Sequence, residues 1–348
     1  MPARIKSSVL SLSWIPSEAV TGLPKQFFDA GVTHYDEPPP DAITSLSELR
    51  QLHDAARFRF ANHLAAWIDV EAGRVVDAGY CGGGQMGITT VSLAGRTARF
   101  EPVALPDRRD EPIIRDGEAR FVQTAGGRAP LPAPRTVRHP PFFQLKAPDV
   151  WTTLALTLRA DGTSEFEVIG ASGFPRHWVY NPTGQLAAKA GLADFKDWYR
   201  TSFGKHTPWG DEDSKAYVTA VETALERQLS TTIMRGGAKP QIRTIKQGAK
   251  LTEQGTPGDE MYLLLDGVLD VVVDGDPVAE VGPGAILGER AVLERGTRTA
   301  TLQALTKCRV AVAAADQLDR AALEAISHGH RREEPASDTE PSTPPGPA

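Results

Sequence analysis

Cysteine is nearly absent from this chain: Cys81 and Cys308 are the only two in 348 residues. Two thiols cannot staple a protein of this length, so a disulfide framework is excluded and a reducing, cytoplasmic interior is the expected compartment. An excess of positive charge is missing too. Lys and Arg number 38 against 44 Asp and Glu, a net charge of −6, which argues against nucleic acid as a main partner. No apolar run has the length of a membrane-spanning helix, so no membrane span is expected. The opening MPARIKSSVLSLSWIPSEAV breaks its apolar residues with serines and shows no small-residue cleavage pattern, so no signal peptide is expected. The G-x-S-x-G elbow, H-E-x-x-H, the P-loop and the kinase signatures are all absent. The sequence names no catalytic residue.

Proline (27) and glycine (32) are plentiful and cluster at Pro38-Pro39-Pro40, Gly126 to Pro134 and Pro140-Pro141, where they punctuate the chain into short elements. Val150 to Leu158 and Ser164 to Ile169 flank Asp161-Gly162, a hairpin signal. Arg176 to Tyr180 and Gln185 to Lys189 flank Asn181-Pro182-Thr183-Gly184, a second turn with preset dihedrals. Arg74 to Asp77 and Ile88 to Leu93 also read as strands, and Ser45 to Asp69 reads as a helix. The expected fold class is α+β and mostly β. It comprises an N-terminal β-rich domain over 1–208, a second domain over 209–327 with its own leading helix, and a disordered Glu, Pro, Ser and Thr-rich tail over 328–348.

From Asp211 the period changes, with Tyr217, Val218, Val221, Ala224, Leu225 and Leu229 on one helical face and Gly236-Gly237 as the stop. Short apolar runs separated by glycines follow: Ile242 to Ile245, Met261 to Leu265, Leu269 to Val273 and Val278 to Val281. Eight or so strands so spaced predict a compact antiparallel β-roll of the jelly-roll kind, flanked by helices, the second over Gln317 to Ile326.

Within that roll, Gly288-Glu289-Arg290-Ala291-Val292-Leu293 and Arg298-Thr299-Ala300 resemble the phosphate-binding cassette of the cyclic nucleotide-binding domain family, whose pattern is Gly-Glu-x-Ala-x-Leu followed by Arg-(Ala, Ser or Thr)-Ala. Gly248, Leu251, Gln254-Gly255, Gly258-Asp259, Tyr262 and Gly267 are similar to that family's turn glycines and core residues. The resemblance spans residues 240 to 326, about a quarter of the chain, and implies a site for cAMP or cGMP with no metal.

The residue chemistry agrees with that implication. A cyclic nucleotide offers one negative phosphate and one free ribose hydroxyl. Arg298 supplies a planar fork for the phosphate, and Glu289 an acceptor for the 2′-hydroxyl, as an acidic residue does on ribose in dinucleotide sites. Residues 288–293 are expected to form one helical turn with amides toward the phosphate, Gly288 allowing close approach. Thr299 offers a hydroxyl to base or phosphate, and Arg290 stands where many members are apolar. A hydroxyl after the arginine occurs in cGMP sites and in bacterial cAMP sensors, so either nucleotide remains open.

The predicted role is a sensor whose output passes through another protein or through self-association. Two alternatives stay open: a scaffold whose roll has lost its ligand, and an enzyme with an unrecognised N-terminal catalytic domain. A transcription factor is disfavoured, since about twenty residues after the roll are too few for a helix-turn-helix unit.

Four other signals are discounted. Gly82-Gly83-Gly84-Gln85-Met86-Gly87 fits G-x-G-x-x-G, but the β-branched Ile88 to Val91 after it cannot start the helix a dinucleotide fingerprint needs. Cys81 is expected to be an ordinary buried cysteine. His53 and His63, ten residues apart on the expected helix, are too distant to share a metal. The aromatic stretch Trp178, Tyr180, Phe195, Trp198, Tyr199, Phe203 and Trp209 reads as core and interface packing rather than a base-stacking platform.

Overall fold

The structure, a computed structural model, describes residues 2–314 apart from 21–22, 32–34, 94–95, 101, 130–132, 137–142, 147–148, 193–206, 210–217, 220, 223, 236–239 and 294–295, together with 321 and 324. The fold is mostly β, as expected, and divides into two compact units, Met1–Ala238 and Lys239–Ala348. Among the described residues no helix is long and apolar enough to cross a membrane.

The first unit begins with β1 (Ala3–Trp14), β2 (Phe60–Glu71), β3 (Arg74–Tyr80) and β4 (Gly83–Met86). A hairpin of β5 (Thr89–Leu93) and β6 (Arg96–Phe100) follows, then short β7 (Val103–Ala104), β8 (Arg108–Arg109) and β9 (Ile113–Arg115). The long β10 (Glu118–Arg128) pairs with all three short strands. Next come a hairpin of β11 (Ala133–Thr136) and β12 (Phe143–Lys146), then β13 (Asp149–Arg159), β14 (Ser164–Ala171), β15 (Arg176–Tyr180) and β16 (Leu186–Ala190). One sheet runs β16-β15-β1-β2-β3 with β4 also on β2, and a second runs β14-β13-β10-β7. Val9, Leu64, Ala66 and Ile68 from the first meet Phe121, Leu154, Leu156 and Leu158 from the second in one core, the interdigitation of two apolar sheet faces.

Both predicted hairpins form, and their turns show why. Gly162 has φ +90° while Asp161 Oδ1 accepts from the Thr163 amide at 2.9 Å. Gly184 has φ +77° while Asn181 Oδ1 accepts from the Thr183 and Gln185 amides, each at 3.0 Å. These are Asx turns closed by a glycine in the left-handed region.

The helix expected over Ser45 to Asp69 is corrected. Ser45 caps a helix of nine residues, Leu46–Asp54, which ends at Ala55, and Phe60 onward is strand β2. That strand pairs with β1 over eleven positions, from Ala3↔Val70 to Ser13↔Phe60. The apolar residues of 58–68 satisfy a helical period and a strand pattern alike, and the long-range pairing decides between them. His53 therefore lies on the helix and His63 on β2, not on one element.

The glycine run holds a strand and starts no helix. Gly83–Met86 pairs with β2, and a Cβ on Gly82 or Gly87 would collide with the backbone of His63 or Phe58. Cys81 is exposed, not buried. Trp178 and Tyr180 are core residues, as expected; Phe195, Trp198, Tyr199 and Phe203 lie outside the described residues.

The leading helix is also shorter than expected, Ala224–Arg235. Thr219 forms a β-bridge with Lys189, and Glu222 pairs with the Lys189 ammonium. The helix packs on the 3-10 turn Ser17–Ala19. These contacts place it in the first unit, so the division falls at 238/239 where the composition suggested 208/209. Of the helix expected at Gln317 to Ile326, only Ala321 and Glu324 are described, and both are helical. The tail 328–348 lies outside the described residues.

One buried titratable group of the first unit has both of its polar atoms hydrogen-bonded. His177, fully buried, receives the Ser13 hydroxyl on Nδ1 at 2.6 Å and donates from Nε2 to the Ser172 carbonyl at 2.9 Å, which uses both nitrogens of a neutral ring. Burial, helped by the Arg176 cation, pushes its pKa down to about 4 against the bond to Ser172. Between pH 4 and the unfolded value near 6.5 the unfolded chain therefore binds the extra proton, and stability falls as pH is lowered through that window. The expected loss approaches about 1.4 kcal/mol per pH unit. Urea titrations at pH 7 and pH 5 of the native chain and of His177→Gln check it, since the variant lacks this component of the slope.

Among the described residues of the second unit eight strands form, in line with the eight or so expected: β17 (Gln241–Ile245), β18 (Lys250–Thr252), β19 (Glu260–Asp266), β20 (Leu269–Val273), β21 (Asp276–Val281), β22 (Ile286–Leu287), β23 (Thr301–Ala304) and β24 (Cys308–Ala314). They make two four-stranded antiparallel sheets, β17-β24-β19-β22 and β18-β23-β20-β21. Leu264, Val310 and Cys308 of one sheet pack on Val271, Leu302 and Ala304 of the other, as in a jelly roll.

Candidate functional site

Between β22 and β23 the chain leaves the sheets to build one side of a pocket. Gly288 has φ +86° and turns the backbone into the one-turn helix Glu289–Leu293, as the sequence predicted. Gly288, Glu289, Ala291, Arg298, Thr299 and Ala300 all border one pocket, with Thr252, Val271, Ile286, Leu287 and Leu302 completing its wall. It encloses about 470 Å3, counting its open mouth. Arg290, half-buried on the same helical turn, is not among the residues that line it.

Two side chains of opposite charge meet at this pocket in a buried state: Glu289 is 4% exposed and Arg298 6%. Burying a charge is costly unless it is paired or bonded, and Arg298 has a constructed seat. Its Nη1 donates to the Glu260 carbonyl at 2.8 Å and reaches toward the Gly288 carbonyl at 3.5 Å. Nη2 lies 3.4 Å from the Tyr262 hydroxyl, and the guanidinium sits over the Tyr262 ring, 5.3 Å from its centroid. A Cβ on Gly258 would collide with this guanidinium, and one on Gly288 would come within 2.5 Å of Nη1. The two glycines therefore leave the slot that the arginine fills.

The seat is braced from behind. Tyr262 donates its hydroxyl to Glu260 Oε2 at 2.9 Å, and Arg243 on β17 holds both oxygens of that carboxylate, one at 2.7 Å. The Arg243 bonds, with that from Tyr262, keep Glu260 below the usual carboxylate range, while burial and the bond to Glu260 raise the Tyr262 phenol. The phenol stays protonated and the carboxylate ionised, the states this chain of bonds requires.

Gly258 and Tyr262 are residues whose part in the site the sequence did not disclose. They read as a turn glycine and a core aromatic. A detectable signal existed: Tyr262 is the single aromatic residue between 239 and 348, and a lone tyrosine in an aliphatic roll has a hydroxyl to satisfy. Among the described residues there is no group of three His, Cys, Asp or Glu placed to hold a metal ion.

Comparison with known proteins gives the same segment. The family model described as cyclic nucleotide-binding domain matches residues 242–324. A cGMP-dependent protein kinase of Caenorhabditis elegans is 26% identical over 214 residues, 62% of this chain and 24% of the kinase. The human potassium/sodium hyperpolarization-activated cyclic nucleotide-gated channel 4 is 33% identical over 72 residues, 21% of this chain and 6% of the channel. The chain thus spans a quarter or less of the length of these relatives. Similar solved structures include "Sp-2Cl-cAMPS bound to PKAR CBD2", at 20% identity and TM-score 0.26 over 31% of this chain and 71% of that one. Another, from a study of a cyclic-GMP-dependent signalling pathway in bacterial phytopathogenesis, has 24% identity and TM-score 0.24 over 32% of this chain and 85% of that one. The match of the family model at 242–324, on the roll that holds the buried Glu289 and Arg298, identifies this part of the chain as a member of the cyclic nucleotide-binding domain family.

Proposed function

We propose that the chain is a cyclic-nucleotide sensor, in which the roll captures cAMP or cGMP and the remainder of the chain conveys occupancy to a protein partner or a second copy in the cytoplasm. The observation that carries this reading is the burial of Glu289 and Arg298 at one pocket. A pocket with one cation, one carboxylate and an apolar wall of Val271, Ile286, Leu287 and Leu302 suits a ligand with one anionic group, one ribose hydroxyl and a flat base. In this reading Arg298 takes the exocyclic phosphate oxygens, Glu289 accepts from the ribose 2′-hydroxyl, and Thr299 stands near base or phosphate. Gly288 lets the backbone approach, while Ala291 and Ala300 are small enough to leave room. No bond is made or broken. The ligand acts only through unequal affinity for two arrangements of the protein.

A property of the sequence makes this testable in one cuvette. All six tryptophans, Trp14, Trp67, Trp151, Trp178, Trp198 and Trp209, precede residue 239, so tryptophan emission reports the first unit alone. Calorimetry with cAMP and cGMP is expected to give saturable binding. Ligand at 100 times its dissociation constant adds about 2.7 kcal/mol to the stability of the unit that binds it. A change in tryptophan emission on saturation shows the signal reaching the first unit. Absence of binding by either nucleotide overturns the sensor reading and leaves a scaffold role; binding with silent tryptophans places the output in the roll itself.

A further inference from the structure

The first unit holds a second pocket, remote in sequence from the roll. Its floor is the outer face of the first sheet, where Leu10 and His63 are register partners and Ser8 lies two residues along the same face. One wall is the segment leading into the helix Leu46–Asp54, and the other is the turn at Asn181 to Gly184. The space between these walls, open mouth included, is about 590 Å3.

Its walls are fixed to each other and to the sheet. The Ile43 amide donates to the Gly184 carbonyl at 2.8 Å, the Leu186 amide to the Asp41 carbonyl at 2.9 Å, and the Tyr180 hydroxyl to the Pro40 carbonyl at 2.8 Å. A Cβ on Gly184 would collide with Ile43, so the turn glycine is needed for the walls to close. The pocket is therefore a permanent feature of the sandwich, already organised without a ligand.

Its polar groups are of two kinds. Asn181, Thr183, Thr44 and Ser45 spend their hydrogen bonds on the turn and on the helix cap. The Ser8 hydroxyl and the His63 ring nitrogens bond to no other described residue. Leu10, Ile43 and Leu49, each under 10% exposed, supply the apolar surface around them. No Lys, Arg, Asp or Glu lines the pocket, and burial lowers the His63 pKa so that its ring is neutral at pH 7. The helix terminus beside the pocket offers nothing to an anion. Glu48 folds back to accept the Thr44 amide at 2.7 Å and places a carboxylate there, and the Ser45 hydroxyl already accepts the Glu48 amide.

We propose that this pocket is a second ligand site, selective for a small uncharged molecule with a compact apolar body and one hydrogen-bonding head that engages Ser8 and His63. It differs in kind from the roll site, which is built around a buried cation and a buried carboxylate, and it does not depend on the roll binding a nucleotide.

The test uses the full chain and three probes of matched shape, benzamide, benzoate and benzylammonium. Binding is read from the ring signal of His63 in histidine proton–carbon correlation spectra, identified by its loss in His63→Gln. Benzamide is expected to shift that signal saturably, with an affinity at least tenfold above either charged probe. Ser8→Ala is expected to weaken it at least threefold, with tryptophan emission unchanged to show the fold intact. Saturating cAMP is expected to leave benzamide binding unaltered. Benzoate binding as well as benzamide, no saturable shift with any probe, indifference to Ser8→Ala in a folded variant, or displacement of benzamide by cAMP would each overturn the assignment.

Discussion

Calorimetric titration of Arg298→Ala with cAMP and cGMP is expected to show affinity lower by roughly 30-fold to several thousand-fold. Truncating one partner of a buried, hydrogen-bonded charge pair costs about 2 to 5 kcal/mol, and each 1.4 kcal/mol is about a decade. The fall has two components, since the substitution takes away the phosphate's counter-charge and empties the seat formed by Gly258, Gly288 and the Glu260 carbonyl. Arg298→Lys separates them. It keeps the charge and loses the planar fork, so its affinity is expected to lie between those of the native chain and Arg298→Ala. Tyr262→Phe keeps the ring under the guanidinium and removes the 3.4 Å contact to Nη2 together with the 2.9 Å bond to Glu260, whose carboxylate Arg243 still holds, so its effect on nucleotide affinity is expected to stay below about 1 kcal/mol. Native affinity in Arg298→Ala would remove the arginine from the site.

Asp36→Ala is expected to destabilise the first unit by about 3 to 5 kcal/mol, the range for breaking a buried ion pair from one side. Asp36 and Arg59 are fully buried, with Nη2 to Oδ1 at 2.9 Å and Nε to Oδ2 at 3.0 Å. The same carboxylate accepts the Ile15 amide at 2.7 Å, so one side chain ties the end of β1 to the start of β2. Arg59 also donates to the Thr89 hydroxyl, a neutral partner that cannot offset its charge. Asp36→Asn keeps the volume and loses the charge, and it is expected to recover only part of the loss. Urea unfolding followed by tryptophan emission measures both variants without interference from the roll, which has no tryptophan. A midpoint unchanged in Asp36→Ala would show that the pair contributes nothing net.

The elements legible in the sequence are those whose cause is local. Asp161-Gly162 and Asn181 to Gly184 specify their turns through a side chain that bonds two residues on and a glycine free to take positive φ. The glycine-spaced runs after 240 specify eight short strands for the same reason. Failures occur where a distant partner decides. Phe58 to Ile68 carries an apolar pattern that a helix and a strand share, and its assignment waits on β1, at the far N-terminal end of the unit. Val218, Thr219, Val221 and Glu222, expected in the leading helix, are not helical: Thr219 bridges Lys189 and Glu222 meets that same lysine.

Composition and spacing by themselves determined two things about this protein, its mostly β character and its glycine-punctuated roll, whereas Glu289 and Arg298 entered as candidates through the resemblance of residues 288–300 to a family cassette. Short-range dihedral preferences and residue chemistry are enough for the first two, because each is written in adjacent residues. Tertiary structure alone decided that Tyr262, 36 positions before Arg298, braces the arginine, that Gly258 makes room for it, and that Ser8 and His63 share a pocket. Such proximities arise only when antiparallel sheets bring remote strands into register, and the free energy that selects the register belongs to the packed core as a whole rather than to any local stretch.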